Sequence, residues 1–232
     1  MKKVLKGFSE RIDGSMYLPT ENPLPENVAN RKRFFEMNKL GGRKIVVARL
    51  THSSNVTTVD ARSEYFIPDT DALVTRTPEI LLTLTGADCF PVYFEEKTAG
   101  IIGLAHCGWR GIVDGIVEKT IAAIIEMGGK AENIVLTIGP GICEKHFEIK
   151  EDILSFFSAY PEFIFRDKNV TVDLKGIIKK QASVAGIVST NILDTNECTY
   201  CLDEKYFSYR RDKSDPIEAQ IAYIIQFPHR KF

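Results

Sequence analysis

The segment from residue 101 to residue 127 constrains the fold more than any other part of the chain. It begins with an apolar run over 101–105 that is typical of a buried strand. A tight turn follows, with the sequence His-Cys-Gly-Trp-Arg-Gly over 106–111. An amphipathic pattern over 112–127 then predicts a helix, whose apolar face consists of Val113, Ile116, Val117, Ile121 and Ile124. A strand that leads through a turn into a helix indicates an α/β fold.

Other apolar runs predict strands along the whole chain, over 44–50, 73–75, 81–84, 134–138, 206–210 and 220–226. Helices are predicted over 28–38, 151–160 and 175–185, the last of them with Asp173 as its N-cap. The two kinds of element mix without a strict strand–helix–strand rhythm. We therefore predict a single α/β domain over residues 1–232, built as a mixed β-sheet with helices packed on its faces.

The net charge and the cysteine count bear on the cellular compartment of the chain and on its binding partners. Its formal net charge of −1 provides no basic surface for nucleic acid or an anionic membrane. No apolar run is long enough to span a bilayer, and the N-terminus lacks the apolar core of a signal peptide. The five cysteines form no regular disulfide framework, which indicates free thiols in a reducing compartment. We expect a cytoplasmic monomer that binds neither nucleic acid nor membrane.

Three side chains that can bind a metal, His52, Cys89 and His106, each follow an apolar run. Neighbouring strand ends in a sheet lie about 5 Å apart, so three such ends can meet. Two imidazoles and one thiolate suit zinc, and three protein ligands leave a fourth position open, as in catalytic zinc sites. The alternative is structural, because a single such histidine is more often only hydrogen-bonded and a single cysteine is more often a small buried apolar residue.

The start of the predicted helix, at Arg110 and Gly111, suits an anion. Free backbone N–H groups at a helix N-terminus, together with a guanidinium, bind phosphate-like groups. The alternative is that Arg110 pairs with Asp114, four residues later. Trp109 is expected to pack in the core rather than stack on a ligand.

Two patterns near the C-terminus favour a structural interpretation. Cys198 and Cys201 have the spacing of a redox dithiol or of half a zinc site, but the sequence offers no second pair. Arg210 and Arg211 end the aromatic run over 206–209 and are expected to be solvated rather than to bind an anion.

Several motifs resemble those of the YfiH-type family. They are, in chain order, Gly-Ala-Asp-Cys-Phe-Pro-Val over 86–92, Ala-His-Cys-Gly-Trp-Arg-Gly over 105–111, Gly-Pro-Gly-Ile over 139–142, Phe-Glu-Ile over 147–149, Cys-Thr over 198–199 and Phe-Ser-Tyr-Arg-Arg-Asp over 207–212. The proteins of this family were long labelled polyphenol oxidases or laccases and are now regarded as purine nucleoside phosphorylases. The resemblance extends over nearly the whole chain.

The resemblance implies a single α/β domain that holds zinc through His52, Cys89 and His106, the three residues that follow the apolar runs. It also implies phosphorolysis of adenosine, inosine, guanosine and 5′-methylthioadenosine, and hydrolytic deamination of adenosine. Purine nucleosides and phosphate are therefore the expected binding partners, and zinc is the expected cofactor, with copper as the alternative metal.

Catalytic and substrate-binding residues are predicted next to this metal site. Arg110 matches the arginine of the family motif, and we predict a catalytic role for it. Asp88 is the predicted acid/base because it adjoins Cys89; the alternative is a turn residue that caps the local backbone. Arg11, Arg110 and Gly111 are predicted to hold the phosphate or the nucleoside.

The chain departs from the family pattern at four places. Cys107 replaces the usual alanine, and Ser53 replaces the glycine of the family's Val-His-Gly. The N-terminal arginine segment reads Ser-Glu-Arg-Ile-Asp-Gly over 9–14, and Lys145-His146 stands where the family has two cysteines. Either an altered substrate preference or a weaker activity is the expected consequence.

Three other functions compete with this interpretation. A copper-dependent polyphenol oxidase is possible for the same ligands, but multicopper oxidation needs many more imidazoles than His146 and His229 provide. A cysteine hydrolase would use Cys89 or Cys107 with His106, although adjacent residues point to opposite faces of a strand. A purely structural or partner-binding protein is the third.

Overall fold

The computed structural model describes residues 3–18 and 23–228, which form strands, α-helices and short 3-10 turns. The strands are β1 Val4–Phe8, β2 Lys44–Ala48, β3 Val56–Thr58, β4 Phe66–Ile67, β5 Ala72–Thr75, β6 Ile80–Gly86, β7 Phe90–Glu96, β8 Ile101–Cys107, β9 Ile134–Ile138, β10 Ile164–Arg166, β11 Val170–Val172, β12 Ile192–Asp194 and β13 Gln220–Gln226. The helices are α1 Pro25–Met37, α2 Trp109–Val113, α3 Ile116–Glu126, α4 Glu151–Leu154, α5 Leu174–Val184 and α6 Tyr209–Asp212. The 3-10 turns are Arg11–Asp13, Ala131–Asn133, Ser155–Phe157, Pro161–Phe163 and Ser189–Asn191.

The strands form two large sheets and one hairpin. The first sheet has the order β1-β13-β6-β2-β4, the second has the order β12-β9-β7-β8-β5-β3, and β10 pairs with β11. Both large sheets are mixed, since β2 runs parallel to β6 while β13 runs antiparallel to it, and β12 runs parallel to β9 while β7 runs antiparallel to it. The predicted mixed α/β fold is thus confirmed, with its strands divided between two sheets.

The sheets pack face to face, and helices cover their outer sides. Leu82 of β6 packs with Leu104 of β8 between the sheets. Phe34 of α1 packs against Leu81 on the outer side of the first sheet. Helices α2, α3 and α5 cover the outer side of the second sheet, where Cys107 is buried. Side chains alternate along β8, so His106 and Cys107 point to opposite sides of their sheet.

Several helix boundaries differ from the predicted ones for identifiable reasons. The helix predicted over 112–127 is split into α2 and α3 because Gly115 adopts a left-handed φ of 80°. α1 starts three residues earlier than predicted, with Pro25 at its first position, where the missing N–H costs nothing. In the helix predicted over 151–160, α4 ends at Leu154 and a 3-10 turn follows. No helix among the described residues has the length and apolar character needed to cross a membrane.

In the C-terminal part of the chain, one predicted strand is wrong and one predicted helix cap is confirmed. The strand predicted over 206–210 is wrong, because Ser208 accepts a hydrogen bond from the Arg211 backbone N–H and starts α6. The cap predicted for α5 is confirmed, since Asp173 accepts a hydrogen bond from the Gly176 backbone N–H at 2.9 Å.

Candidate metal centre

The three predicted metal ligands come together at one edge of the sheet pair. His52 follows β2, Cys89 lies in the turn between β6 and β7, and His106 is the penultimate residue of β8. Because β2 and β6 run parallel, their carboxyl ends lie at the same edge. The antiparallel pairing of β7 and β8 sets Phe90 opposite Cys107, which brings the turn to the end of β8. The three ligand atoms all lie within 4.8 Å of one another.

Gly108 leaves space beside all three ligands. A Cβ atom built on this residue would lie 3.1 Å from the Cys89 sulfur and 3.2 Å from Cδ2 of His52. It would also lie 3.5 Å from Cε1 of His106. His52 itself adopts a left-handed φ of 58°, a strained conformation for a residue other than glycine and one that is frequent at functional sites. The donor set and this space fit a zinc ion, with a fourth position open to a substrate.

A buried carboxylate, Asp71, orients two of the ligands from behind. His106 donates a hydrogen bond from Nδ1 to Oδ1 of Asp71 at 2.9 Å, which directs Nε2 toward the other ligands. The same carboxylate accepts backbone N–H groups of Thr51, His52 and Ser53 at 2.9–3.0 Å. Asp71 was not predicted, since its only signal in the sequence is an acidic residue directly before the apolar run of β5.

His52, Cys89 and His106 together are called the metal trio. Electrostatics within the trio favour the metal-binding form of Cys89. Burial alone would raise the pKa of this thiol, but the charge and hydrogen bond of His106, and those of His52, outweigh it and lower the pKa. Burial opposes protonation of His106, yet Cys89 and Asp71 together raise its pKa. The thiolate is the form of cysteine that binds metals. Burial raises the pKa of Cys107 well above its usual value, so that residue stays a neutral thiol in the core.

The trio opens onto a cavity of about 780 Å³, a volume suited to a small-molecule ligand. Four cationic side chains line it: Arg31, Arg49, Arg110 and Arg210. Within residues 3–18 and 23–228, none of the four forms an ion pair with a carboxylate. Apolar side chains form another part of the wall, namely those of Ile142, Phe147, Ile153 and Leu174. A cavity of this character suits a ligand that combines an anion with a less polar group.

Two of these arginines were not predicted from the sequence. Arg31 of α1 is only 4% exposed and donates from Nη1 to the Met16 carbonyl at 3.0 Å. Burial lowers its pKa to about 10, so it remains charged at neutral pH. Arg49 donates to the Leu18 carbonyl at 3.1 Å, and its guanidinium lies 3.5 Å from the ring centroid of Phe66. An arginine in a helix or after a strand is usually solvated, so the sequence carries no signal for either residue.

Arg110 lies at the cavity, and its catalytic and substrate-binding roles stay predictions. It is exposed, lines the wall, and its guanidinium lies 4.4 Å from the Trp109 ring centroid. The alternative pairing with Asp114 is absent from the described residues. Trp109 is half-buried and packs its ring edge-on against Phe156 at 5.5 Å, but it also lines the cavity, so its place is at the edge of the core and not inside it.

Arg11 and Gly111 are not among the residues that line the cavity. Arg11 donates to Asp212 at 2.6 Å and to the Tyr206 carbonyl at 3.1 Å, so its charge is already paired. Gly111 is buried inside α2, which is only five residues long. A Cβ atom there would lie 2.6 Å from the Ser53 carbonyl oxygen. The structure thus shows tertiary contacts for both residues, and their substrate-binding role stays a prediction.

Asp88 lines the cavity beside Cys89, but both of its carboxylate oxygens have partners. Oδ1 accepts from the Thr199 hydroxyl at 2.7 Å, and Oδ2 accepts from the Arg210 backbone N–H at 2.7 Å. Its φ of 87° is left-handed, as expected in a tight turn. The left-handed φ agrees with a turn residue, but both carboxylate contacts are to distant parts of the chain and not to the local backbone. Its acid/base role stays a prediction.

Comparison with known proteins gives consistent matches over most of the chain. The family described as "Multi-copper polyphenol oxidoreductase laccase" matches residues 10–225. A protein of Deinococcus radiodurans named purine nucleoside phosphorylase is 35% identical over 187 residues, which is 79% of this chain and 71% of the relative. A protein named adenosine deaminase RL5, from an unknown prokaryotic organism, is 29% identical over 182 residues, or 72% of this chain and 70% of the relative. The crystal structure of YlmD from Geobacillus stearothermophilus has a TM-score of 0.89 at 25% identity and covers 97% of this chain and 92% of its own.

Proposed function

Since this chain belongs to the family described as multi-copper polyphenol oxidoreductase laccase, that is, to the YfiH-type proteins, we propose that it is a zinc-dependent enzyme acting on purine nucleosides. Its reactions are phosphorolysis of adenosine, inosine, guanosine and 5′-methylthioadenosine, and deamination of adenosine. The two relatives named above carry the names of these two activities.

One observation carries the proposal: His52, Cys89 and His106 open onto a cavity with four arginines that lack carboxylate partners among the described residues. Phosphorolysis requires that a phosphate dianion be held against the ribose while the base leaves. Arginine guanidinium groups bind phosphate through two parallel hydrogen bonds, and the partly desolvated Arg31 and Arg49 are suited to this role. When bound by the trio, zinc supplies Lewis-acid polarisation of a substrate group.

The protein side chains provide binding and orientation for phosphorolysis. A phosphate oxygen forms a bond to C1′ of the ribose, the bond from C1′ to the purine nitrogen breaks, and the base leaves with that electron pair and takes up a proton. The apolar wall, with Phe147 and Ile142, excludes water and contacts the nucleoside. Arg110 is exposed at the cavity and holds the phosphate or the nucleoside during the reaction.

A nucleoside assay tests the proposal. Purified, zinc-loaded protein is expected to release hypoxanthine from inosine only when inorganic phosphate is present. His106→Ala removes one ligand and is expected to abolish the release, whereas Arg62→Ala, a change in a side chain that is 92% exposed, leaves it unaltered. Full activity of His106→Ala would overturn the assignment of the metal site.

The role of Arg49 in phosphate binding has its own test. Arg49→Ala is expected to raise the KM for phosphate by about 10-fold or more, because one charge-assisted hydrogen bond is lost. The KM for inosine at saturating phosphate should change much less. Arg62→Ala serves as the matched control. An unchanged KM for phosphate would place the anion elsewhere in the cavity.

A cysteine hydrolase is the second candidate, because Cys89, His106 and Asp71 also form a thiol–imidazole–carboxylate series. Cys107 does not contribute to such a series, since it is fully buried on the other side of β8. Removal of the metal distinguishes the two functions. A metal enzyme loses activity with a strong chelator, whereas a cysteine hydrolase keeps it and loses it to iodoacetamide.

Copper oxidation of phenols has less support. The trio uses two of the four histidines in the sequence. His146 stacks on Tyr200, with ring centroids 4.0 Å apart, and belongs to a different cluster. His229 lies outside the described residues. A single copper ion in the trio remains the alternative, and metal analysis after copper-free expression, together with a phenol oxidation assay, tests it.

A further inference from the structure

A second group of metal-binding side chains lies on two short turns outside the trio. Cys143 and His146 are separated by two residues, and so are Cys198 and Cys201. The His146 N–H donates to the Cys143 carbonyl at 3.0 Å, which closes the first turn. The Leu202 N–H donates to the Cys198 carbonyl at 3.0 Å and closes the second. The sequence shows no second cysteine pair because the first pair contains a histidine in place of a cysteine.

The structure brings the two turns together. The ligand atoms of Cys143, His146 and Cys201 all lie within 4.8 Å of one another. Cys198 lies beside this group, because its sulfur accepts the Cys143 backbone N–H at 3.3 Å. A β-bridge between Gly141 and Cys198 holds the turns side by side. Three ligand atoms, two sulfurs and one imidazole nitrogen, therefore converge, and the sulfur of Cys198 lies next to them.

We propose that Cys143, His146, Cys198 and Cys201 form a second, structural zinc site. Three thiolates and one imidazole are a common ligand set of structural zinc, and two residues between the members of each pair is a usual spacing. Four protein ligands complete the tetrahedral shell, so this site has no position for a substrate. It differs in this respect from the trio of His52, Cys89 and His106, which supplies three ligands.

Hydrogen bonds and ring stacking around these side chains support a preformed metal site. The Cys143 backbone N–H donates to the Cys198 sulfur at 3.3 Å, and such a bond stabilises a thiolate. The His146 ring stacks on Tyr200 with an interplanar angle of 20°, which orients the imidazole. Arg210 donates to the His146 carbonyl at 3.2 Å and holds the backbone of the first turn.

The site would hold in place a segment that contacts the cavity. Thr199, inside the second turn, donates to Asp88, and Asp88 precedes Cys89. Arg210, bonded to the first turn, lines the cavity. Zinc at the second site would therefore stabilise the wall of the cavity without contacting the substrate.

Metal counting tests the proposal without any activity assay. The full chain is purified under reducing conditions, loaded with zinc, freed of weakly bound metal by gel filtration, and analysed for zinc and protein. Wild type is expected to hold two zinc ions per chain, and both Cys201→Ser and His146→Gln are expected to hold one. Cys201 is exposed, so its substitution leaves the core intact. Lys145→Gln, in the same turn but without a ligand atom, is the matched control and should hold two.

Two further measurements make the result decisive. The His106→Ala variant is expected to retain one zinc ion, and the combination of His106→Ala with Cys201→Ser none. Cobalt bound to His106→Ala should show the intense sulfur-to-metal charge-transfer absorption of a site with several thiolates. The proposal is overturned if His106→Ala retains no metal. It is also overturned if the mass of the unreduced protein shows that Cys198 and Cys201 have formed a disulfide that excludes zinc.

Discussion

At the scale of single residues, Asp71 connects the metal site with the loop that carries it. Its carboxylate contacts the His106 ring on one side and three backbone N–H groups of the loop 51–53 on the other. One group therefore sets the imidazole tautomer and the position of the second histidine. Carboxylates placed behind histidine ligands in this way make the imidazole a stronger ligand.

Asp71→Asn is expected to weaken zinc binding at the trio by about 10- to 100-fold. The amide carries no charge, and its NH₂ group cannot accept hydrogen bonds from the backbone N–H groups of the loop. Competition with a chromophoric chelator measures the affinity. Cys201→Ser serves as the background, so that only the trio binds. Asp167→Asn, a change in an exposed turn, is the control. Equal affinity of the two variants would show that Asp71 has no role in metal binding.

Gly108 illustrates how a single missing side chain shapes the site. Its φ of −76° is open to any residue, so a substitution there tests space and not backbone strain. Gly108→Ala is expected to reduce zinc affinity by about 10-fold, as other changes next to metal ligands do, because the new methyl group crowds the Cys89 sulfur and the His52 ring. Isothermal titration in the same background checks this. Gly41→Ala, at an exposed glycine without a left-handed φ, should bind like wild type.

At the scale of elements, strands were more predictable than helix boundaries. β9 and β13 agree with their predicted ranges because each is an apolar run between polar residues, a pattern that a strand of a layered core requires. The helix over 112–127 was predicted as continuous because its apolar spacing continues through Gly115. The left-handed turn at that glycine depends on tertiary packing, which the spacing does not contain. For α6, the aromatic residues suggested a strand, while the cap at Ser208 decided the outcome.

The N-cap of α5 provides a test at this scale. Asp173→Ala removes the acceptor of the Gly176 N–H and is expected to lower the free energy of unfolding by about 1 kcal/mol. Urea denaturation followed by circular dichroism measures the change. Asp167→Ala, in the exposed turn before β11, should stay within about 0.5 kcal/mol of wild type. A smaller loss for Asp173→Ala than for this control would contradict the assigned cap.

At the scale of the whole molecule, the metal trio joins the two sheets. His52 follows a strand of the five-stranded sheet, His106 belongs to the six-stranded sheet, and Cys89 lies in the connection from one to the other. The sequence predicted that the three ligands could meet, because each follows an apolar run and the ends of neighbouring strands lie close together. It could not predict the arginines of the cavity, since Arg31 comes from α1, a helix whose position depends on the packing of Phe34 and its neighbours.

A ligand that joins both sheets should stabilise the entire fold. In the Cys201→Ser background, zinc in excess of its dissociation constant by about 1,000-fold is expected to add about 4 kcal/mol to the free energy of unfolding. The melting temperature should therefore rise on addition of zinc and fall again with a chelator. In the same background, Cys89→Ser should have the same melting temperature with and without zinc. Equal melting temperatures of stripped and loaded Cys201→Ser protein would show that the trio does not bind zinc in the folded state, because binding to the folded chain alone must shift the unfolding equilibrium.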